Sequence, residues 1–317
     1  MTFAIAILNH NGSVLLKRFL SKVIENCQDA QIYIIDNKSS DDSIDFISKN
    51  YPEINIIELN ANYGYAEGYN EGVKLIAEDV IIFLNNDAVF LDKQSYNQIY
   101  KTFNSNDNIS IAQPRIIDYN NRNKYEYAGA SGGYIDLLGY PFCRGRIINN
   151  VESAEKYRTT REIFWASGAC FVIRRKIFNK LNGFDNDFFC HMEEIDLCWR
   201  LKNIDKDKKI VTIGKSQVFH IGGGTMQYDN PNKNYLNFRN SIMMLIKNLP
   251  LGYLAPVIIF RILFDLIILI FSFLTLNFNL SFSILKAYYY NLINFRINFL
   301  KRIKSKKSKK YYYCKSI

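Results

Sequence analysis

Acids, carboxamides and one histidine stand in this chain where several apolar runs stop. The run Val80-Ile81-Ile82-Phe83-Leu84 stops at Asn85-Asn86-Asp87 before the chain turns apolar again. An acid held beside neutral oxygen donors takes a hard divalent cation, and with it a pyrophosphate. As residue types alone the three also make an ordinary polar turn. Further on, Glu193, Glu194 and Asp196 follow Phe188-Phe189-Cys190-His191-Met192. Phenylalanines beside an acid exclude water, which raises a carboxyl pKa and suits it to general base work. The plainer account is three acids at a helix start, where the macrodipole favours them. His220, one of three histidines, ends a strand-like run against Gly222-Gly223-Gly224. Such an imidazole is either a hydrogen-bonded structural group or, with glycines leaving its ring open, a ligand to a metal or diphosphate.

These groups need elements that bring them together. Phe3–Leu8, Gln31–Ile35, Ile54–Leu59 and the run from Val80 read as buried strands. Between them lie helices: one carrying Leu15, Leu16, Phe19, Leu20, Val23 and Ile24, one capped by Ser40 or Asp41, and one from about Tyr65 to Ala77. The β-α-β alternation predicts parallel strands with helices on both faces. The four strands end at Asn9, Asp36, Asn60 and Asn85/Asp87, on the rim where open α/β sheets bind ligands. Gly64, Gly68 and Gly72 form one helical stripe that admits either a neighbouring backbone or a ligand. A dinucleotide fold would carry GxGxxG after the first strand; Asn9-His10-Asn11-Gly12 stands there instead, against a dehydrogenase.

Residues 104–162 read as loops around short strands, a flap over the site, with Arg144 and Arg146 either phosphate contacts or solvated surface. From Tyr235 a helix closes over the site, with Arg239 as an anion contact. From Tyr253 the chain is strongly apolar, and a helix over 257–276 would be about 30 Å long, enough to span a bilayer. Arg261 and Asp265, four apart, share a face. A single span would put the basic tail and the N-terminal domain on opposite sides, against the positive-inside tendency. An interfacial helix, or a re-entrant pair with 280–300, keeps both in the cytoplasm. A buried soluble helix is the bland alternative.

The composition, 48% hydrophobic and 22% charged, is that of a globular protein with core enough for one large or two unequal domains. The net charge of +10 points to an anionic partner. Eight of the cations fall in 301–315, so the body is nearly balanced and does not wrap nucleic acid. That tail would instead attract an anionic membrane surface. Six cysteines without CxxC spacing fit free thiols in a reducing compartment, and no secretory segment opens the chain.

In order and spacing, NHNG (9–12), IIDNKSSDDS (34–43), NANYGYAEGYNEG (60–72), FLNNDAVF (83–90), SGACFVIRR (167–175), NGFDNDFFCHMEEIDLCWR (182–200) and VFHIGGG (218–224) resemble the family 2 glycosyltransferases. These are inverting, nucleotide-sugar-dependent enzymes, and the chain resembles particularly the rhamnosyltransferase-like branch that builds bacterial surface polysaccharides. The resemblance implies an α/β GT-A fold over 1–245, a mixed, mainly parallel sheet flanked by helices, followed by membrane-associating helices and basic tail over 246–317. It implies Asp36 on the nucleotide base, with Asn9, Asn11, Asn37, Asn62, Gly64, Asn70, Asn85 and Asn86 also on the nucleotide side. Asp87 matches the last acid of the DxD metal motif and His220 a metal or diphosphate ligand, for Mg²⁺ or Mn²⁺. Glu194 falls at the general base, with Glu193 or Asp196 sharing the work. Two positions depart from the pattern: Asn85 removes one charge from the metal site, and Glu194 is one methylene longer than the usual Asp. The activity implied is transfer from a dTDP-rhamnose or UDP-hexose donor to a glycan or lipid-linked acceptor, at the cytoplasmic membrane face, peripheral or monotopic. A sugar-phosphate nucleotidyltransferase is the first rival, although NHNG lacks the basic residue of a triphosphate loop. The second is a catalytically inactive membrane scaffold, suggested by Asn85 and Glu194.

Overall fold

A computed structural model describes residues 1–147, 150–222, 231–303 and 313–314. The predicted alternation is present: β1 (Phe3–Asn9), α1 (Ser13–Asn26), β2 (Ala30–Asp36), α2 (Ser43–Asn50), β3 (Asn55–Glu58), α3 (Gly64–Val73) and β4 (Val80–Leu84). Then come β5 (Ala88–Val89), α4 (Lys93–Ser105), β6 (Ile109–Asp118), β7 (Arg161–Glu162), β8 (Cys170–Arg174), α5 (Arg175–Lys180), α6 (Glu193–Ile204) and β9 (Lys209–His220). These nine strands form one sheet in the order β7-β9-β6-β8-β4-β1-β2-β3, with β5 paired to β9. The first four are mutually parallel, whereas β8 runs antiparallel to both β4 and β6. The sheet is therefore mixed and mainly parallel on its N-terminal side. Every residue of β4 is fully buried, as its unbroken apolar run requires when helices cover both faces.

Register sets the site. Asn9 pairs with Asp36 across β1 and β2, so the two polar tips share an edge. His220, the last residue of β9, pairs with Ala88, which places its ring beside Asp87. The stretches read separately as 211–214 and 217–219 are one strand, kept continuous through a register shift between Ile213 and Gln217.

Two helix boundaries differ from expectation. The second helix begins at Ser43 after Asp42, yet Asp41 is the side chain that caps it: its carboxylate accepts from the Ser43 backbone N–H, and from that of Ser13 as well. The third ends at Val73, where i, i+3 bonds at Leu75 and Ile76 replace the helical ladder.

Past the sheet the chain is helical: α7 (Pro231–Asn248), α8 (Leu251–Leu274), α9 (Phe278–Ile293) and α10 (Phe295–Ile303). α9 folds back along α8, with the Ser272 and Ser281 hydroxyls 2.8 Å apart. The pair is apolar outside and polar inside. Arg261 and Asp265 are 2% and 1% exposed, while Phe271 and Leu274 are 67% and 75% exposed. Arg261 and Asp265 do share a face, but they meet through Tyr140: the guanidinium stacks on its ring and its hydroxyl donates to the carboxylate at 3.3 Å.

The start of the basic tail belongs to the fold. Lys301 lies 2.6 Å from both Asp185 and Asp187, and Arg302 donates to the carbonyls of Ile246 and Leu249. Beyond Ile303 the basic run lies outside the described residues, as do Gly223 and Gly224.

Candidate active site

A cavity of about 380 Å³ opens at the strand tips, lined by Asn37, Asn62, Gly64, Asn85, Asn86, Asp87, Glu193, Glu194 and His220 among others. The tip of β4, the end of β9 and the start of α6 thus meet in one hollow.

On the β4 side, the turn Asn85-Asn86-Asp87 is held by the Asn85 N–H donating to Ala169 and by the Ala88 N–H donating back to Asn85. Asp87 is 2% exposed, and its Oδ1 lies 2.9 Å from His220 Nε2. Glu126 stands on the other side of the ring, 3.8 Å from Nδ1. Burial works against the imidazolium, but hydrogen bonding to Asp87 and Glu126 outweighs it and pushes the His220 pKa up to about 10. Asn85 Nδ2 is 3.4 Å from His220 Nε2.

On the α6 side, Glu193 is buried and Glu194 half-buried, and each has a carboxyl oxygen shut from solvent with no hydrogen-bond partner. Burial drives the Glu194 pKa up to about 7, partly countered by the backbone N–H groups of Glu194, Gly168 and Ile195. Burial and the charge of Glu194 push Glu193 further up. Asp196 differs in kind. Despite burial, Lys247 at 2.8 Å and Arg200 at 2.7 Å keep its pKa low, so it is an ion-pair residue facing away from the cavity. The acids of one helical turn therefore divide by environment, two aimed at the hollow and one at the core.

The remaining rim residues divide as well. Asn37 donates to Asn62 and to the Gly64 carbonyl, both at 3.0 Å, and these three line the cavity. Gly64 is required by its backbone: φ is +71°, and an added Cβ would stand 2.6 Å from the Phe189 ring. Gly68 and Gly72 settle as helix-on-sheet packing, where a Cβ would press on Leu8 and Ile35. Asn9, Asn11 and Asp36 do not line the cavity. Asp36 accepts from the Ser39 N–H at 2.8 Å, the Ser39 hydroxyl at 2.5 Å and Asn9 at 3.3 Å, so it braces the loop behind it. Asn11 caps that loop through the Ser40 N–H. Asn70 lies farther off, clasping Phe184 and Asn186 on the opposite side of α3.

Three arginines also differ from expectation. Arg239 is buried and donates to the carbonyls of Asp187 and Phe188, leaving it no anion to meet. Arg144 is buried against the Tyr157 ring, and Arg146 covers the Tyr127 ring. Residues that sequence reasoning missed include Glu126, Tyr65, Ser167 and Lys233, all lining the cavity. Glu126 lies in a stretch without periodicity, so no sequence signal marks it. Tyr65, whose hydroxyl donates to Gly168, and Ser167 sit within motifs that were noticed for their glycines.

Comparison with known proteins agrees with this geometry. The family model described as "Glycosyl transferase family 2" matches residues 4–181. The low-salt glycan biosynthesis hexosyltransferase Agl10 of Haloferax volcanii is 23% identical over 249 residues, 76% of this chain and 74% of that protein. The N-acetylglucosaminyl-diphospho-decaprenol L-rhamnosyltransferase of Mycobacterium tuberculosis is 24% identical, covering 59% of this chain and 66% of its own length. Among solved structures, GalNAc-T7 with UDP, GalNAc and Mn²⁺ superposes with a TM-score of 0.61 at 17% identity, over 80% of this chain and 49% of that one. The mannosyltransferase PcManGT of Pyrobaculum calidifontis, in complex with GDP-Man and Mn²⁺, gives 0.55 at 10% identity, over 92% and 86%. The structural likenesses bear on the fold, which is GT-A, and the matched residues carry the polar tips of β1, β2 and β4. The chain belongs to glycosyl transferase family 2, in the company of rhamnosyl- and hexosyltransferases.

Proposed function

We propose that the cavity joins a nucleoside-diphosphate sugar to an acceptor hydroxyl and that Glu194 is the general base of an inverting transfer. The observation that carries this reading is the placement of Glu194. Its carboxyl has one buried, unpartnered oxygen and a pKa near 7, and lines the same hollow as Asp87 and His220. A base matched to neutral pH takes the proton of the attacking hydroxyl as the new glycosidic bond forms. Attack from the face opposite the diphosphate inverts the anomeric centre. The leaving group is already good, so no second carboxyl is needed as acid. Asn37, Asn62 and the Asn85-Asn86 turn offer hydrogen bonds to the nucleotide; Asn9, Asn11 and Asp36 shape that wall from behind.

Asp87 and His220 suit a divalent cation. Both are buried and adjacent, with Asp87 Oδ1 2.9 Å from His220 Nε2, and both line the cavity. No cluster of three or more His, Cys, Asp or Glu ligands occurs among the described residues. Two protein donors nevertheless fit Mg²⁺ or Mn²⁺, which take the rest of their shell from phosphate and water. Such an ion supplies neutralising charge to the departing diphosphate.

The acceptor we favour is a lipid-linked saccharide at the cytoplasmic membrane surface. Three things support it: the apolar outer face of the α8–α9 hairpin, the return of α10 to the sheet domain through Lys301 and Arg302, and the lipid-linked substrate in the mycobacterial relative's name. A hairpin whose two ends reach the same domain enters and leaves a bilayer from one side. UDP- and dTDP-sugar hydrolysis with and without Mn²⁺ tests the reading. Glu194→Gln is expected to abolish turnover while nucleotide binding persists; full turnover in that variant removes Glu194 from the mechanism, and binding without turnover in the wild type favours an inactive scaffold.

A further inference from the structure

The loop that delivers Glu193 and Glu194 is held by a different element. Phe189, His191 and Met192 all have positive φ, at 62°, 70° and 73°. Side-chain-bearing residues are strained in such conformations and keep them only where the surroundings over-determine them. Here the surroundings are α7 and the start of α3. Asn240 of α7, fully buried, turns its Nδ2 onto the carbonyls of Phe188 at 3.0 Å, Cys190 at 2.9 Å and His191 at 2.7 Å. Arg239 Nη2 donates to the carbonyls of Asp187 and Phe188, each at 2.8 Å. Its Nε donates to Asn240 Oδ1 at 2.7 Å, which fixes the orientation of the amide. From the opposite side the N–H groups of Tyr65 and Ala66 donate to Phe189 O at 2.8 and 3.1 Å. Every carbonyl from Asp187 to His191 is thus taken, and that of Met192 accepts the Asp196 N–H at 2.9 Å. A loop with all its carbonyls committed has one conformation, and the carboxyl at its end has one position.

We propose that Arg239 and Asn240 are a positioning pair for the general base, acting through residues 187–192. The proposal rests on the reading of Glu194 given above. It accounts for what the two side chains do once neither reaches the cavity. Displacement of a reacting group by about 1 Å is enough to cost roughly a hundredfold in rate. Release of the loop also admits water to Glu194. The groups facing that carboxyl are Glu193 on its own helix, Tyr65 on α3, and Cys143, Cys190 and Cys198. Lys233 lines the same cavity. All of them remain when Asn240 is replaced, so a change in the Glu194 titration reports loop release.

The test compares wild type, Asn240→Ala, Arg239→Lys and Glu194→Gln in the full chain. Protein labelled with [13Cδ]glutamate is titrated by NMR, with Glu194→Gln identifying the resonance. Hydrogen exchange is read over residues 187–192, and UDP affinity and thermal melting serve as folding controls. The expected result in Asn240→Ala is faster exchange in the loop and a Glu194 midpoint moved from near 7 towards the ordinary carboxylate range. Turnover of the donor that the wild type hydrolyses should fall about a hundredfold, with UDP affinity within about twofold. Arg239→Lys, which keeps the charge but loses the fork, should do the same to a smaller degree and stands in if Asn240→Ala does not fold. Unchanged loop exchange and an unchanged midpoint overturn the proposal even where Glu194→Gln is inactive. If instead Glu194→Gln turns over normally, the base assignment has failed, while the exchange data still decide whether the pair holds the loop.

Discussion

Glu194 and Asp196 are two residues apart on one helix and do opposite things. Glu194 faces an apolar hollow and keeps its proton to about pH 7, while Asp196 is ionised between Lys247 and Arg200. The acid that serves as base must be deprotonated, so kcat/KM should rise with pH through an acidic limb near 7 and level off above it; a rate profile flat from pH 5.5 to 8.5 would contradict the assignment. Asp87 sits at the other end of the same hollow. Asp87→Ala should weaken Mn²⁺ binding by at least tenfold, about 1.4 kcal/mol, read by titration followed with electron paramagnetic resonance. Equal Mn²⁺ affinity in that variant would move the ion elsewhere. Part of this scale was legible in the sequence: Asn-Asn-Asp after a strand reads alone as a polar turn, and the polar ends of the other strands marked it as part of one rim. That Asp36 faces its own loop was not legible, since Ser39 competes for its oxygens only once the turn has formed.

At the scale of elements, α7 and α10 lock onto the segment that leads to the active site. Asp185 lies 2.5 Å from Lys247 and 2.6 Å from Lys301, and these charges hold its pKa well below the ordinary range in spite of burial. Removing one partner of a buried pair typically costs 3–5 kcal/mol. Because Lys247 keeps Asp196, Asp185→Ala should cost about 3 kcal/mol, measured by urea denaturation. A depressed carboxyl pKa stabilises the fold above the unfolded value near 4 and loses that contribution as pH falls through the native one. The difference in stability between wild type and Asp185→Ala should therefore shrink below pH 4. The sequence showed α7 as a helix but not its partners, since Lys247 and Asp185 are 62 residues apart.

The whole molecule presents an apolar hairpin beside a polar catalytic domain. α8 is long and apolar enough to cross a bilayer, yet its Arg261 and Asp265 are turned inward and its apolar residues outward. Burying one large apolar side chain contributes about 1.5–3 kcal/mol. Replacing the exposed Ile267 and Phe271 together by Glu should therefore lower partitioning onto anionic phosphatidylglycerol vesicles by a hundredfold or more, about 3 kcal/mol, without lowering the melting temperature. Undiminished co-sedimentation would show that this face is not the seat.

The alternating strands and helices, the polar strand tips and the family could all be read before folding, because each rests on patterns a few residues long. So could an acidic turn and a long apolar stretch. Which tips open into the cavity, which of three neighbouring acids stays ionised, and the return of α10 to the sheet domain follow from three-dimensional packing. Those outcomes depend on burial and on partners distant in sequence: Glu126 beside His220, Asn240 on the 187–192 loop, Lys301 against Asp185. Solvent exclusion and long-range pairing set a carboxyl's charge, and neither exists until the chain has folded.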